Sequence, residues 1–180
     1  MTRLGVLSSK AIAFLALMNL GVPAYAESAS DCLETALRKM VGKFSATGKQ
    51  LNAEGDLTDF QNIYEARAVA VGELLVLLSD KPVAVFQFEN GAYTFITLDD
   101  DEKPLHDPIP ISFQCSLEPK SGRVLAVEEW EILPNGTGPV WHYRQTRTIG
   151  DDEIAVTLEM RDGGSELPFM VVNEFVASRF

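Results

Sequence analysis

The seventeen residues from Pro82 to Leu98 (PVAVFQFENGAYTFITL) carry the clearest alternation in the chain. Asn90-Gly91 lies between two runs rich in Val, Phe, Tyr, Ile and Thr, and both central residues of a type I′ turn need positive φ. The pattern predicts a β-hairpin with a two-residue loop, in which Phe88 faces Tyr93, Phe86 faces Phe95 and Ala84 faces Thr97. Side chains alternate along a strand, so Phe86, Phe88, Tyr93 and Phe95 share one face. Val83, Val85, Ile96 and Leu98 share the other with Gln87 and Thr94. Both faces are largely apolar. A two-stranded hairpin is marginal by itself, so this one belongs inside a larger sheet.

Upstream, Leu33, Ala36, Leu37, Met40 and Val41 follow helical spacing and predict a short helix over Asp31–Val41. Asp31 suits the N-cap with Glu34 as its capping-box partner, Arg38 and Lys39 suit the last turn, and Gly42 suits the C′ position. From Gly42 the period becomes two. Phe44, Ala46 and Gly48 form the inner face of a strand, alternating with Ser45, Thr47 and Lys49, and Ala53-Glu54-Gly55-Asp56 is a turn. The stretch Phe60–Leu78 fits both periods. As a strand it divides near Gly72; as a helix it puts Phe60, Ile63, Tyr64, Val71, Leu74, Leu75 and Leu78 on one face. The strand-rich context that follows favours the strand reading. After an acidic, Pro-rich loop at Asp99–Pro110, strands are predicted over Ile111–Leu117, Arg123–Ile132, Val140–Ile149, Ile154–Arg161 and Phe169–Arg179. Short strands at such intervals, with turn chemistry between them, point to an antiparallel sandwich or barrel.

The front of the chain has a different logic. Arg3 and Lys10 are followed by the apolar run Ala11–Leu20, by Gly21 and Pro23, and by Ala24-Tyr25-Ala26, which suits signal cleavage. Residues 1–26 therefore read as a secretory signal peptide, its apolar run too short to span a bilayer. No Cys stands at a lipoprotein position, so no membrane anchor is expected, and the protein is expected to be exported, to the periplasm or beyond. Removing those residues leaves 154, the size of a single domain over 27–180, and takes the formal charge from −11 to −13. That charge argues against nucleic acid and anionic membranes as partners and suits a basic exported protein or a small neutral or cationic ligand. Both cysteines, Cys32 and Cys115, lie in the mature part. Export and an even count favour a disulfide, which would close a loop of about 83 residues and contribute roughly 4 kcal/mol; two unpaired thiols are the alternative.

The segment Met40-Val41-Gly42-Lys43-Phe44 resembles the opening of the lipocalin-like small barrels, in the broad calycin group. A short helix is followed by Gly, one residue and an aromatic entering the first strand; the usual aromatic there is Trp. Trp141–Ile149, an acidic turn, Ile154–Arg161, Asp162-Gly163-Gly164 and a last strand ending at Arg179 resemble the final meander of exported bacterial barrels. The likeness in pattern spans most of residues 33–180. It implies a mainly β fold: an antiparallel up-and-down β-barrel preceded by a short N-terminal α-helix. Members of that group often hold a small hydrophobic ligand inside the barrel, though the fold does not fix that function.

The aromatic side chains are the main candidates for such a site. Phe86, Phe88, Tyr93 and Phe95 form one wall, and Trp130, Trp141 and Tyr143 could form another; a packed core is the simpler reading of both. Strict alternation also puts Glu128 with Val124, Ala126 and Trp130, and puts Gln145 and Arg147 with Trp141 and Tyr143. A buried Glu or Arg needs a partner, and these two lie on successive strands. They could pair, or orient a polar ligand head. The simpler readings are a bulge at Glu128-Glu129 that turns the carboxylate to solvent, and a strand end at Arg147 reaching water. His142 alternates away from Trp141 and Tyr143 and reads as an exposed strand residue, and His106 lies in a loop. Two isolated His and two Cys have no metal-site spacing. Asp99-Asp100-Asp101-Glu102 lacks the ligand pattern of a calcium loop. Asn135-Gly136-Thr137 is a formal glycosylation acceptor that reads as a turn. Nothing matches a nucleophile elbow, a zincin helix or a phosphate loop, so neither an enzyme nor a cofactor is expected. Two functions are carried forward. The first is an exported binding protein with a small apolar or amphipathic ligand in its barrel. The second is an inhibitor or assembly protein with a filled core and an acidic surface for a basic partner.

Overall fold

The computed structural model describes residues 29–89, 92–133, 139–164 and 166–180. The signal peptide expected over 1–26, the Asn90-Gly91 turn and the Asn135-Gly136-Thr137 motif lie outside the described residues. Within them the chain forms helix α1 (Ala29–Met40) and then strands β1 (Gly42–Leu51), β2 (Leu57–Ala70), β3 (Glu73–Leu78), β4 (Lys81–Glu89), β5 (Ala92–Thr97) and β6 (Ile109–Pro110). The second half continues as β7 (Ser112–Leu117), β8 (Val124–Ile132), β9 (Trp141–Ile149), β10 (Glu153–Asp162) and β11 (Met170–Arg179). All belong to one 11-stranded sheet in the order β6-β5-β4-β3-β2-β1-β11-β10-β9-β8-β7. Every pairing is antiparallel, and first strand meets last, so the sheet rolls into an up-and-down, nearly closed barrel. The helix followed by an antiparallel up-and-down barrel is the fold class expected from the sequence.

The central hairpin has the expected register, with Phe88 opposite Tyr93, Phe86 opposite Phe95 and Ala84 opposite Thr97. Phe60–Leu78 is strand throughout its regular parts, β2 and β3 being joined by a tight turn at Val71-Gly72. Gly72 has φ +74°, and its carbonyl accepts a 2.7 Å hydrogen bond from the Phe88 amide. A Cβ there would collide with the Phe88 carbonyl oxygen. Pairing with β1 from Gly42↔Ala66 to Leu51↔Leu57 is what selects strand over helix for β2.

Helix α1 packs against β7, β8 and β9. Of the face read from the sequence, Leu33, Ala36 and Met40 are buried and Leu37 and Val41 half-buried, and Cys32 is buried beside them. Asp31 lies inside the first turn of α1, not before it, because the helix begins at least as early as Ala29. Its last turn is capped by a side chain from the far end of the chain: the Arg179 guanidinium donates to the Val41 and Lys39 carbonyls at 2.8 Å each. Arg179 also lies over the ring of Phe44, 4.7 Å from its centroid, and Phe44 is fully buried beside Tyr64. Cys32 and Cys115 form a disulfide across 83 residues, Cα atoms 6.0 Å apart, which fastens the helix to the barrel wall at β7.

One expectation on the outer face needs correction. His142 points outward as alternation requires, but its side chain is only 19% exposed. The last strand begins at Met170, not Phe169, and Phe169 folds over the outside of β9 and β10. Its ring meets His142 edge-on at 5.3 Å and is within cation–π distance of the guanidinium groups of Arg144 (4.2 Å) and Arg161 (4.5 Å). Cation–π contact with both guanidinium groups favours this position of the ring.

The β2–β3 turn yields a direct test. Gly72→Ala puts a Cβ at a left-handed backbone position and against a neighbouring carbonyl, so it lowers unfolding stability by at least about 1–2 kcal/mol. Urea denaturation of the purified variant measures it.

Candidate functional site

The inward side chains of the barrel do not fill it. Residues from six strands and the end of α1 surround an interior cavity of about 210 Å³. Val76, Ala84 and Phe86 form one apolar wall, and Ile154, Val156, Phe175 and Ala177 form the opposite one. Met40 closes the helix side, and Tyr64, Gln145 and Arg147 supply the polar part of the lining. The small side chains at Ala84 and Ala177 explain the space: each faces inward where a larger residue would reach across it.

Arg147 anchors the polar side. It is 5% exposed and Glu128 1%, although both are ionisable. The β8–β9 register places Ala126 opposite Arg147 and Glu128 opposite Gln145, so Glu128 and Arg147 are diagonal neighbours on the inner face. Arg147 Nη2 lies 3.0 Å from Glu128 Oε2, an ion-pair contact that lacks hydrogen-bond alignment. The other carboxylate oxygen, Oε1, accepts a 3.1 Å hydrogen bond from the Tyr93 hydroxyl. Arg147 also donates to Gln145 Oε1 at 3.3 Å and to Met40 Sδ at 3.1 Å, and lies 5.4 Å from the centroid of the Phe86 ring. The bulge at Glu128-Glu129 and the solvent-reaching strand end at Arg147 are thus both absent. Each charge is drawn inward by the other.

Burial pushes the Glu128 carboxyl above the usual carboxylate range, opposed by the Arg147 charge and then by the Tyr93 hydrogen bond. Burial works against the Arg147 charge, but the Glu128 carboxylate and the two tyrosines hold its pKa above the ordinary value. Burial raises the Tyr64 and Tyr93 hydroxyls as well, Tyr93 strongly, with Glu128 adding to both. The tyrosines therefore act as neutral hydrogen-bonding groups.

The residues singled out from the sequence separate into three places. Phe86 and Arg147 line the cavity, with Glu128 and Tyr93 packed behind Arg147. Phe95, Trp130 and Tyr143 form a second aromatic cluster: Trp130 stacks on Tyr143 at 5.6 Å and meets Phe95 edge-on at 5.4 Å. Trp130 Nε1 is buried there without a hydrogen-bond partner among the described residues. Trp141 stands at the start of β9, opposite Ile132 and Asp162, away from the cavity lining. Phe88 lies outside the cavity, in a groove of about 530 Å³ between α1 and the β2–β3 turn that Leu37, Val41 and Leu74 also line. Of the aromatic residues expected on the hairpin and on β8–β9, Phe86 faces the space, Tyr93 and Phe95 are buried in the core, and Phe88, Trp130, Trp141 and Tyr143 are half-buried outside the cavity lining. Sequence reasoning missed Tyr64, which lay in the stretch that fitted two periods, and Phe175, an alternating residue of the last strand.

The crystal structure of Rv2717c from M. tuberculosis is similar to this chain, with a TM-score of 0.54 at 14% identity over 81% of this chain and 95% of that one. At that identity the likeness shows the fold alone. No protein-family model and no curated protein matches the chain.

Two outcomes are expected of the buried pair. Arg147→Met leaves Glu128 without its cation and destabilises the protein by about 3–5 kcal/mol, while Glu128→Leu combined with Arg147→Met recovers most of that loss, as a double-mutant cycle by urea denaturation reads out. The second outcome concerns pH. The folded pKa of Glu128 is raised, so its contribution is complete below the unfolded value of about 4.3 and is lost as pH rises through the folded value. Across that window the wild-type denaturation midpoint falls relative to that of Glu128→Gln, which lacks the titration.

Proposed function

We propose that this protein is an exported, lipocalin-like binding protein that holds a small apolar or amphipathic ligand inside its barrel. The observation that carries the reading is the 210 Å³ cavity, walled by apolar side chains with one polar side. Binding sites of this kind are concave, mostly apolar and provided with few polar groups. An apolar cavity of about 150 Å³ takes up benzene, so this one has room for a molecule of that order. Export is supported by the leader pattern of residues 1–26 and by the Cys32–Cys115 disulfide, a bond that persists in oxidising compartments. No helix of the described residues is long and apolar enough to cross a membrane. The alternative of a filled barrel acting on a basic partner draws on the net charge of −11 but has no support from the interior, which is not filled.

Calorimetry and thermal melting with toluene as an apolar probe test the reading. Wild-type protein is expected to bind toluene and to melt at a higher temperature in its presence. Ala84→Leu, which extends a side chain into the cavity, is expected to abolish both effects while remaining folded. A wild-type protein indifferent to toluene would sink the proposal.

A further inference from the structure

We infer that the cavity selects an uncharged ligand of about one ring bearing a hydrogen-bonding group, such as an aromatic amide, and turns away carboxylates, because Glu128 already neutralises Arg147. This rests on the reading of the barrel as a ligand-binding site and states what that site recognises.

A lone arginine on an apolar wall would be a carboxylate receptor, since its planar donors match a carboxylate and charge-assisted bonds are the strong ones. Arg147 is not alone. Glu128 lies 3.0 Å away and is buried with it, so the pair brings no net charge to the cavity. A ligand carboxylate would then bring an uncompensated negative charge next to the buried pair, and burying such a charge is expensive. An uncharged ligand avoids that cost.

The remaining polar atoms define the hydrogen-bonding group. Tyr64 lines the cavity, and its hydroxyl has no hydrogen bond to another side chain of the described residues. Gln145 uses its carbonyl oxygen to accept from Arg147, which leaves its amide N–H groups to donate. A hydroxyl that donates or accepts, beside an amide that donates, suits a carbonyl or primary amide on the ligand. The apolar body of the ligand would lie between Phe86 on one wall and Val156 and Phe175 on the other. At interior packing density the space takes on the order of ten non-hydrogen atoms.

Toluene, benzamide and benzoate have nearly one size and differ in the property at issue. Titration calorimetry of the disulfide-bonded protein at about pH 8 keeps benzoate ionised. Wild type is expected to bind benzamide at least about tenfold more tightly than benzoate, and more tightly than toluene. Tyr64→Phe should bring benzamide down towards toluene. Glu128→Gln frees the Arg147 charge and should invert the order, with benzoate above benzamide. Benzoate equal to or above benzamide in wild type would overturn the selection while leaving the barrel a binding site. Toluene equal to benzamide in wild type would overturn the hydrogen-bonding requirement. Benzoate still below benzamide in a folded Glu128→Gln protein would overturn the assignment to the ion pair. If none of the three probes binds wild type, the ligand-binding reading itself fails. The wild-type ranking and Tyr64→Phe decide the matter even if Glu128→Gln does not fold.

Discussion

The pairing of β1 with β11 gives this molecule an inside. It runs from Phe44↔Arg179 to Gln50↔Asn173 and joins the two ends of a sheet that would otherwise be an open, twisted meander. The strands come so close at Gly48 that a Cβ would collide with the backbone of Glu174 and Phe175. Other features depend on this closure. It brings Arg179 to the end of α1, where the guanidinium caps the helix and covers Phe44. It also sets the wall containing Phe175 and Ala177 opposite the wall containing Val76, Ala84 and Phe86, and the cavity lies between them.

The interior combines two demands that pull apart. Most inward residues are packed: Tyr93 and Phe95 join Leu33 and Ile111, and Phe44, Ala46 and Ala66 join the buried residues of α1 in the main cluster. Beside that packed material lie a cavity and a buried ion pair, neither of which is the most stable use of the space. A buried pair seldom adds net stability over apolar residues of equal volume. Its value here is geometric. Glu128 draws Arg147 inward, Tyr93 holds one oxygen of Glu128, and Gln145 and Met40 take further donors of Arg147, so the polar side of the cavity has a defined arrangement.

Much of the fold was legible in local sequence. The hairpin register was readable because Asn90-Gly91 is a sequence signal for a two-residue loop, which leaves little freedom in pairing, and the described strands pair in that register. The later strands were placed almost to the residue because turn chemistry punctuates them and alternation identifies their inner faces. The stretch from Phe60 to Leu78 was ambiguous for a physical reason. Its apolar residues satisfy both periods, and the choice depends on β1 being available as a partner along its length. Ile63, counted in the helical face, is 43% exposed, while Tyr64 beside it turns towards the cavity. The orientation of Glu128 and Arg147 was readable from alternation, yet each taken singly belongs in water. Only their diagonal placement across two strands makes the inward position tenable.

By itself, then, the chain determined an antiparallel β fold with an N-terminal helix, the boundaries of its later strands and the inner face of most of them, because those depend on neighbours a few residues apart. Closure into a barrel rests instead on the distant pairing of β1 with β11. Cys32 and Cys115 were marked as partners by count and compartment, and folding brought their Cα atoms to 6.0 Å. Tertiary structure alone decided that the barrel keeps a cavity, and that Phe86 faces it while Phe88, Trp130 and Trp141 do not. Whether a space remains depends on the summed volumes of side chains converging from many strands, and no local pattern along the chain encodes that sum.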